Sequence, residues 1–372
     1  MNKPEKRSFK NKLALGIFAQ NCSSGYTITK SADRWVPSWE NNLALAQKAD
    51  KIGIDFLLSI ARWRGFGGQT DPHGSNLETF TWATGLLAST KNINIFSTVH
   101  LPLINPVYAS KIMVTANHIG NGRFGLKAVC GWNTVEFNMH GVDFNDHTRR
   151  YDHGEEWMTV VNKIWDSNDN FDYAGDFFNL KNVGLQPKPL LDVKPLIMNA
   201  GRSDRGLDFA VKFADYIFLG LRDLSSELVA KDVGLLKKHA QKSGRNHLGI
   251  CTNIFIVCKP TQKEAENFYY EFAIENADHE AINNLMAERG IDKLPDKFQE
   301  AFKIRAAAGH GAPNIVGDPD FVTQEIIRLH ELGIDGFAIG LFNYIDDLDF
   351  LSQTVIPQLE SLGYRKSISK AD

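Results

Sequence analysis

The chain has 372 residues, 43% hydrophobic and 23% charged, with a formal net charge of -3. That composition fits a globular protein with one large α/β domain or two smaller ones, and the interspersed charges argue against a polyanionic partner. No apolar run is long enough to span a bilayer.

The opening stretch MNKPEKRSFKNK is charged and lacks an apolar core segment, so no secretory signal is expected. Short apolar runs then alternate with helical patterns. LALGIFA (13–19) precedes WENNLALAQKADKIG (39–53), and IDFLLSI (54–60) precedes FTWATGLLAST (80–90). INIFSTV (93–99) leads to PVYASKIMVTANHIG (106–120), and RFGLKAVC (123–130) to GEEWMTVVNKIWD (154–166). PLIMNAG (195–201) is followed by RGLDFAVKFA (205–214), and ADYIFLGL (214–221) by LVAKDVGLLKKHAQ (228–241). LGICTNIFIVC (248–258) precedes QKEAENFYYEFAIE (262–275), and GIDGFAIGL (333–341) precedes DLDFLSQTVIPQL (347–359).

Strand runs that are apolar throughout suit a parallel sheet covered by helices. Roughly eight strand–helix units over this length predict a (β/α)8 TIM barrel, one domain across residues 1–372. A doubly wound sheet is the alternative, but the first strand runs into AQNCSSG, which is no G-x-G-x-x-G turn. Two insertions exceed ordinary connections, near 167–194 and 279–317. The second, around AAAGHGAPN, reads equally as a mobile lid or as an ordered surface excursion. The four cysteines (Cys22, Cys130, Cys251, Cys258) are scattered and form no C-x-x-C pair, as expected of reduced thiols in a cytoplasmic protein.

In a barrel the chemistry sits at the C-terminal strand ends. Those ends gather Ser59 to Arg62, Thr98 and His100, Lys127 to Trp132, and Asn199 to Ser203. RWRGFGG (62–68) reads as turn residues or as a lip that aims Arg62 at an anion. NAGRSDRG (199–206) ends a strand and opens a helix, so Ser203 caps that helix, with or without a phosphate on the neighbouring amides. In FNDHTRRYDHGEE (144–156), Arg149 and Arg150 stand near a helix start, against the dipole preference. A bound phosphate reconciles them; the alternative is bonding to Asp146, Asp152 or Glu155. Trp132 and Glu136 flank a helix start at Asn133, where Trp132 walls a flat ligand or packs in the core. No metal-ligand spacing and no G-x-S-x-G elbow occurs. Lys127 lies within a buried strand, where an unpaired ammonium costs several kcal/mol or loses its proton.

DFLLSIARWRGFGGQT (55–70), GRFGLKAVCGWNTVEFNMHG (122–141), RRYDHGEEW (149–157), FDYAGDFFNLKN (171–182) and NAGRSDRGLDFA (199–210) together resemble the bacterial-luciferase-like flavin-dependent monooxygenases. The pyrimidine oxygenase branch is the most similar, with dimethyl sulfone and alkanesulfonate monooxygenases as neighbours. The resemblance implies a barrel that binds reduced FMN from a separate NAD(P)H-dependent flavin reductase and reacts it with O2, and a homodimer or higher homo-oligomer. It implies that Ala61 and Arg62 contact the flavin, that Glu136 lies near it, and that Arg150, Tyr151 and Ser203 surround its phosphate. Leu58, Ile60, Thr98 and Trp132 match the wall where oxygen meets the flavin. Lys127 replaces a usual asparagine, and three readings are open: it retunes the oxygen chemistry, it pairs with Glu136, or it marks the loss of oxygenation. His100 replaces a usual small residue, and with Glu136 it is a candidate acid–base or positioning group. The expected substrate is a small polar molecule, either an amide-bearing ring such as a pyrimidine or a sulfone or sulfonate. The alternatives are a deazaflavin-dependent hydride-transfer enzyme on the same barrel and a non-catalytic flavin-binding protein.

Overall fold

The computed structural model describes residues 8–190, 194–245 and 248–366. Eight parallel strands form the barrel: β1 (Ala14–Phe18), β2 (Phe56–Leu58), β3 (Asn94–His100), β4 (Phe124–Val129), β5 (Leu196–Asn199), β6 (Tyr216–Leu219), β7 (Gly249–Cys258) and β8 (Gly336–Gly340). Each pairs with the next, and β8 returns to β1 through Ala14↔Gly336 to Ile17↔Ile339, so the sheet closes. All eight fall on the apolar runs of the sequence, because closed parallel strands are buried on both faces.

The two faces divide the side chains of β4 cleanly. Phe124, Leu126 and Ala128 pack outward against the helices, which directs Gly125, Lys127 and Val129 inward. Two glycines make room for rings in the floor. A Cβ at Gly16 would lie 2.2 Å from Phe56, and one at Gly125 would lie 2.4 Å from Phe96. Phe9 stacks on Phe56 at 4.9 Å between centroids and closes the barrel from below. The interior is thus filled at the bottom and open only at the C-terminal end.

The insertion after β4 carries a small antiparallel hairpin, Phe171–Ala174 with Asn179–Val183. Glu156 of the helix His147–Asp166 holds its turn by accepting from the amides of Asp176, Phe177 and Phe178. The second insertion packs onto the barrel. Its helices His279–Glu288 and Asp296–Ala306 bury Ala281, Ile282, Leu285, Met286, Phe302 and Ala306 against the barrel mouth. It ends in an added strand, Asn314–Gly317, which pairs with the upper half of β7 above the rim. None of the helices among the described residues is long and apolar enough to cross a membrane.

Candidate active site

A cavity of about 450 Å³ opens at the C-terminal strand ends, within the range of ordinary ligand sites. The strand ends bring Ile60, Ala61, Arg62, Thr98, His100, Lys127 and Trp132 to its wall, and the loops above add Arg150, Tyr151 and Ser203. Two expected site residues do not reach it. Leu58 is wholly buried among the interior rings, and Glu136 lies beneath Arg62 and Trp63.

The lip RWRGFGG is fixed by short hydrogen bonds. Gly67 and Gly68 adopt φ of 68° and 73°, where a side chain is strained. The Gly67 amide donates to Asp71 Oδ1 at 2.7 Å, and Thr70 donates to Asp278 of the second insertion. Arg62 lines the cavity and is held there by two carboxylates. Its Nε lies 3.3 Å from Glu136 Oε1 and its Nη2 3.3 Å from Glu288 Oε2, while the guanidinium stacks 4.3 Å from the centre of Phe66. Asn133 caps the helix Thr134–Met139 and also donates to Glu288 at 2.9 Å. A buried guanidinium between two carboxylates is a structural anchor for the lip.

Glu136 therefore does not pair with Lys127. Its Oε1 is taken by Arg62 and by the Trp63 amide at 3.0 Å, and its Oε2 faces His100 Nδ1 at 3.5 Å. Burial raises the Glu136 carboxyl, against the pull of Arg62. Burial and Arg62 lower His100 to about 4, so the imidazole is neutral at physiological pH. Lys127 is 7% exposed, and burial brings its amine to about 7. The Thr98 hydroxyl donates to the Ser59 carbonyl at 2.5 Å, which leaves only its lone pairs for the cavity.

The outer end of the cavity is built from two helix starts. Ser203 caps the helix Asp204–Phe213 by accepting from the Gly206 amide at 3.1 Å, and its hydroxyl lies 3.2 Å from His147 Nε2. Arg150 donates to the Gly131 carbonyl at 3.2 Å and to the Asn145 carbonyl. Arg149 points the other way, to Asp176 at 3.3 Å, while Asp152 and Glu155 bind Arg205. The two arginines are thus not a solvated pair on their own helix. The Tyr151 hydroxyl fits against Gly201 and Gly206, where added Cβ atoms would lie 2.7 and 2.8 Å from it. Gly206→Ala is expected to destabilise the fold by about 1–3 kcal/mol in thermal melts. Tyr151→Phe should not rescue it, because the Gly201 Cα lies 2.9 Å from the same Cβ position.

Four lining residues carried no sequence signal: Tyr26, His73, Arg289 and His310. The His73 and His310 rings lie 4.6 Å apart, and Arg289 donates to the His310 carbonyl at 2.8 Å. The glycines around His310, at φ of 90° and 87°, mark the forced turn that delivers it. Among the described residues lining the cavity, five are basic (Arg62, Lys127, Arg150, Arg202, Arg289) and none is an aspartate or glutamate.

A family model described as luciferase-like monooxygenase matches residues 13–336. The pyrimidine monooxygenase RutA of Pseudomonas syringae pv. syringae (strain B728a) is 34% identical over 362 residues, spanning 96% of this chain and 98% of its own. That of Serratia proteamaculans (strain 568) is 32% identical over 356 residues, spanning 94% and 96%. Among solved structures, riboflavin lyase (RcaE) with modified FMN and substrate riboflavin superposes with a TM-score of 0.84 at 22% identity, covering 97% of this chain and 94% of that one. DmoA from Hyphomicrobium sulfonivorans gives 0.82 at 18% identity, covering 95% and 89%. These two likenesses bear on the fold. A closed barrel of this topology, with its cavity at the strand ends and a family match over most of its length, has one assignment: the chain belongs to the luciferase-like monooxygenase family and is a flavin-dependent monooxygenase.

Proposed function

We propose that the chain is the oxygenating component of a two-component system in the cytoplasm. It takes reduced FMN from a separate NAD(P)H-dependent flavin reductase and uses O2 to oxygenate a small amide-bearing ring of the pyrimidine type. The homodimer or higher homo-oligomer implied by the resemblance belongs to the same reading. One observation carries it: a single cavity joins an anion cradle at Ser203, Tyr151 and Arg150 to a dry inner end at Thr98 and Lys127.

The residues present fit FMN. The close Gly201–Gly206 contact seats the Tyr151 hydroxyl beside the start of the Ser203-capped helix, whose amides suit a phosphate. Trp132 and Phe18 give flat walls for the ring, and the basic lining suits an anionic ligand. Bound reduced FMN supplies the electrons that activate O2. The protein's own part is placement. Arg150, Tyr151 and Ser203 fix one end of the cofactor. Thr98 and Lys127 line the inner end, where little water enters. His100, neutral and with its Nδ1 3.5 Å from Glu136 Oε2, offers a ring nitrogen for a polar group of the substrate.

The test mixes protein with photoreduced FMN, O2 and a panel of uracil, dimethyl sulfone and a short alkanesulfonate, read by mass spectrometry. Oxygen incorporation into uracil alone is expected. Oxygenation of the sulfone or sulfonate would overturn the pyrimidine assignment, and none with any substrate would overturn the reading as a whole. Ser203→Ala and Arg150→Ala should weaken FMN about tenfold or more while leaving riboflavin, which lacks the phosphate, nearly unaffected. Equal losses for both ligands would remove the phosphate from this cradle.

A further inference from the structure

The innermost wall of the cavity carries a charge with nothing opposite it. Lys127 stands on β4 beside Thr98 of β3 and Met198 of β5. Its Nζ lies 3.9 Å from the centre of the Phe218 ring of β6 and 5.0 Å from that of Phe18 of β1. Among the described residues no carboxylate and no hydrogen-bond acceptor pairs with it. The titratable groups facing it are Cys251 of β7, held as a thiol by burial, and the neutral His100 of β3. Across the cavity stand Tyr26, also held neutral, and the cations Arg62, Arg150 and Arg289. No acid faces it from any neighbouring element.

Contact with two ring faces offsets only part of the cost of burying an ammonium, so the free amine sits near 7. A small hydrated anion would surrender its water here and find aromatic faces in exchange. A flat ring with a delocalised charge keeps apolar contact with Phe18 and Phe218 while it meets Nζ.

We propose that Lys127, Phe18 and Phe218 form a subsite for a ring-delocalised nitrogen-acid anion, and that the amine is protonated as that anion enters. Two ligands share this chemistry: the reduced ring of FMN, in which case the inference rests on the flavin reading above, and an ionised imide of a pyrimidine.

Anaerobic calorimetry at pH 8 in two buffers of different ionisation heat separates them. At that pH most of the amine is neutral, so reduced FMN should bind with uptake of nearly one proton. Oxidised FMN, with the same phosphate and a neutral ring, should bind with none. Lys127→Met should weaken reduced FMN about tenfold or more and oxidised FMN less than about threefold. Lys127→Arg, always charged, should keep the preference without the uptake. If the pyrimidine is the source, the proton comes from the ligand. Bound uracil then shows the long-wavelength absorbance of its anion, which Lys127→Met abolishes. Reduced FMN binding without proton uptake, together with uracil bound without its anion band, would overturn the subsite and leave the flavin reading intact. Failure of both FMN forms to bind would overturn the flavin reading, and the uracil arm would then decide the subsite alone.

Discussion

Between pH 6 and pH 5 the free energy of unfolding in urea should fall by about 3 kcal/mol. The cause is four histidines that the fold keeps neutral. Burial and neighbouring arginines lower His73 to about 3 and His100 to about 4, and burial first of all lowers His153 to about 4 and His310 well below its usual range. In each case the folded value lies below the unfolded one. The unfolded chain therefore binds more protons as pH falls, and stability that is full above about 6.5 drains away toward the folded values. Burial raises the carboxyls of Glu136 and Asp347, which act in the opposite sense and cancel part of the slope. Two protons of difference, half of what the four histidines supply, already amount to about 3 kcal/mol, at about 1.4 kcal/mol each per pH unit. His73→Gln keeps a donor for the Gly25 carbonyl, now accepting at 2.8 Å, and should flatten the slope by about one proton. Stability that is level from pH 6 to pH 5 in the unaltered protein would refute this account.

The second large effect belongs to the anchor beneath the lip. Glu136→Leu should destabilise the protein by about 3 kcal/mol, because it removes one of the two carboxylates from a guanidinium that stays buried and leaves Glu288 as its only counter-charge among the described residues. It also strips the Trp63 amide of its acceptor. Adding Arg62→Met should restore part of the loss, since the surplus buried cation goes and Glu288 keeps the bond it accepts from Asn133. Denaturant titrations of the two single variants and the double variant measure this coupling. Additive losses would mean that Arg62 and Glu136 act independently and that the lip is held by Asp71 and Asp278 instead.

The barrel was legible in the sequence because closed parallel strands leave continuous apolar runs, and every barrel strand lies on one. Residues at the strand ends were equally legible, since position along a strand predicts position at the mouth. Ser203 and Asn133 were readable as caps because capping is local. What the sequence hid depends on distant segments meeting. Glu288 claims Arg62 across more than two hundred residues, which turns an apparent anion-binding arginine into an internal anchor. Asp176 draws Arg149 away from the helix start where Arg150 remains. Arg289 and His310 enter the cavity on an insertion whose composition read equally as a lid or a surface excursion, and its packing becomes visible only once the barrel rim stands beside it.

Of the five basic residues on the cavity wall, Arg62 and Arg202 are ion-paired and Lys127 is the innermost, so Arg150 and Arg289 are the cations left to attract small anions toward the mouth. Phosphate and sulfate in ordinary buffers are then competitors, and an affinity measured in them is an apparent value that rises as they are removed. Delivery of the cofactor is thereby a contest of concentrations, which a reductase releasing its product nearby would tilt. Exchange into a buffer of large organic ions should be the first step of any binding experiment on this protein.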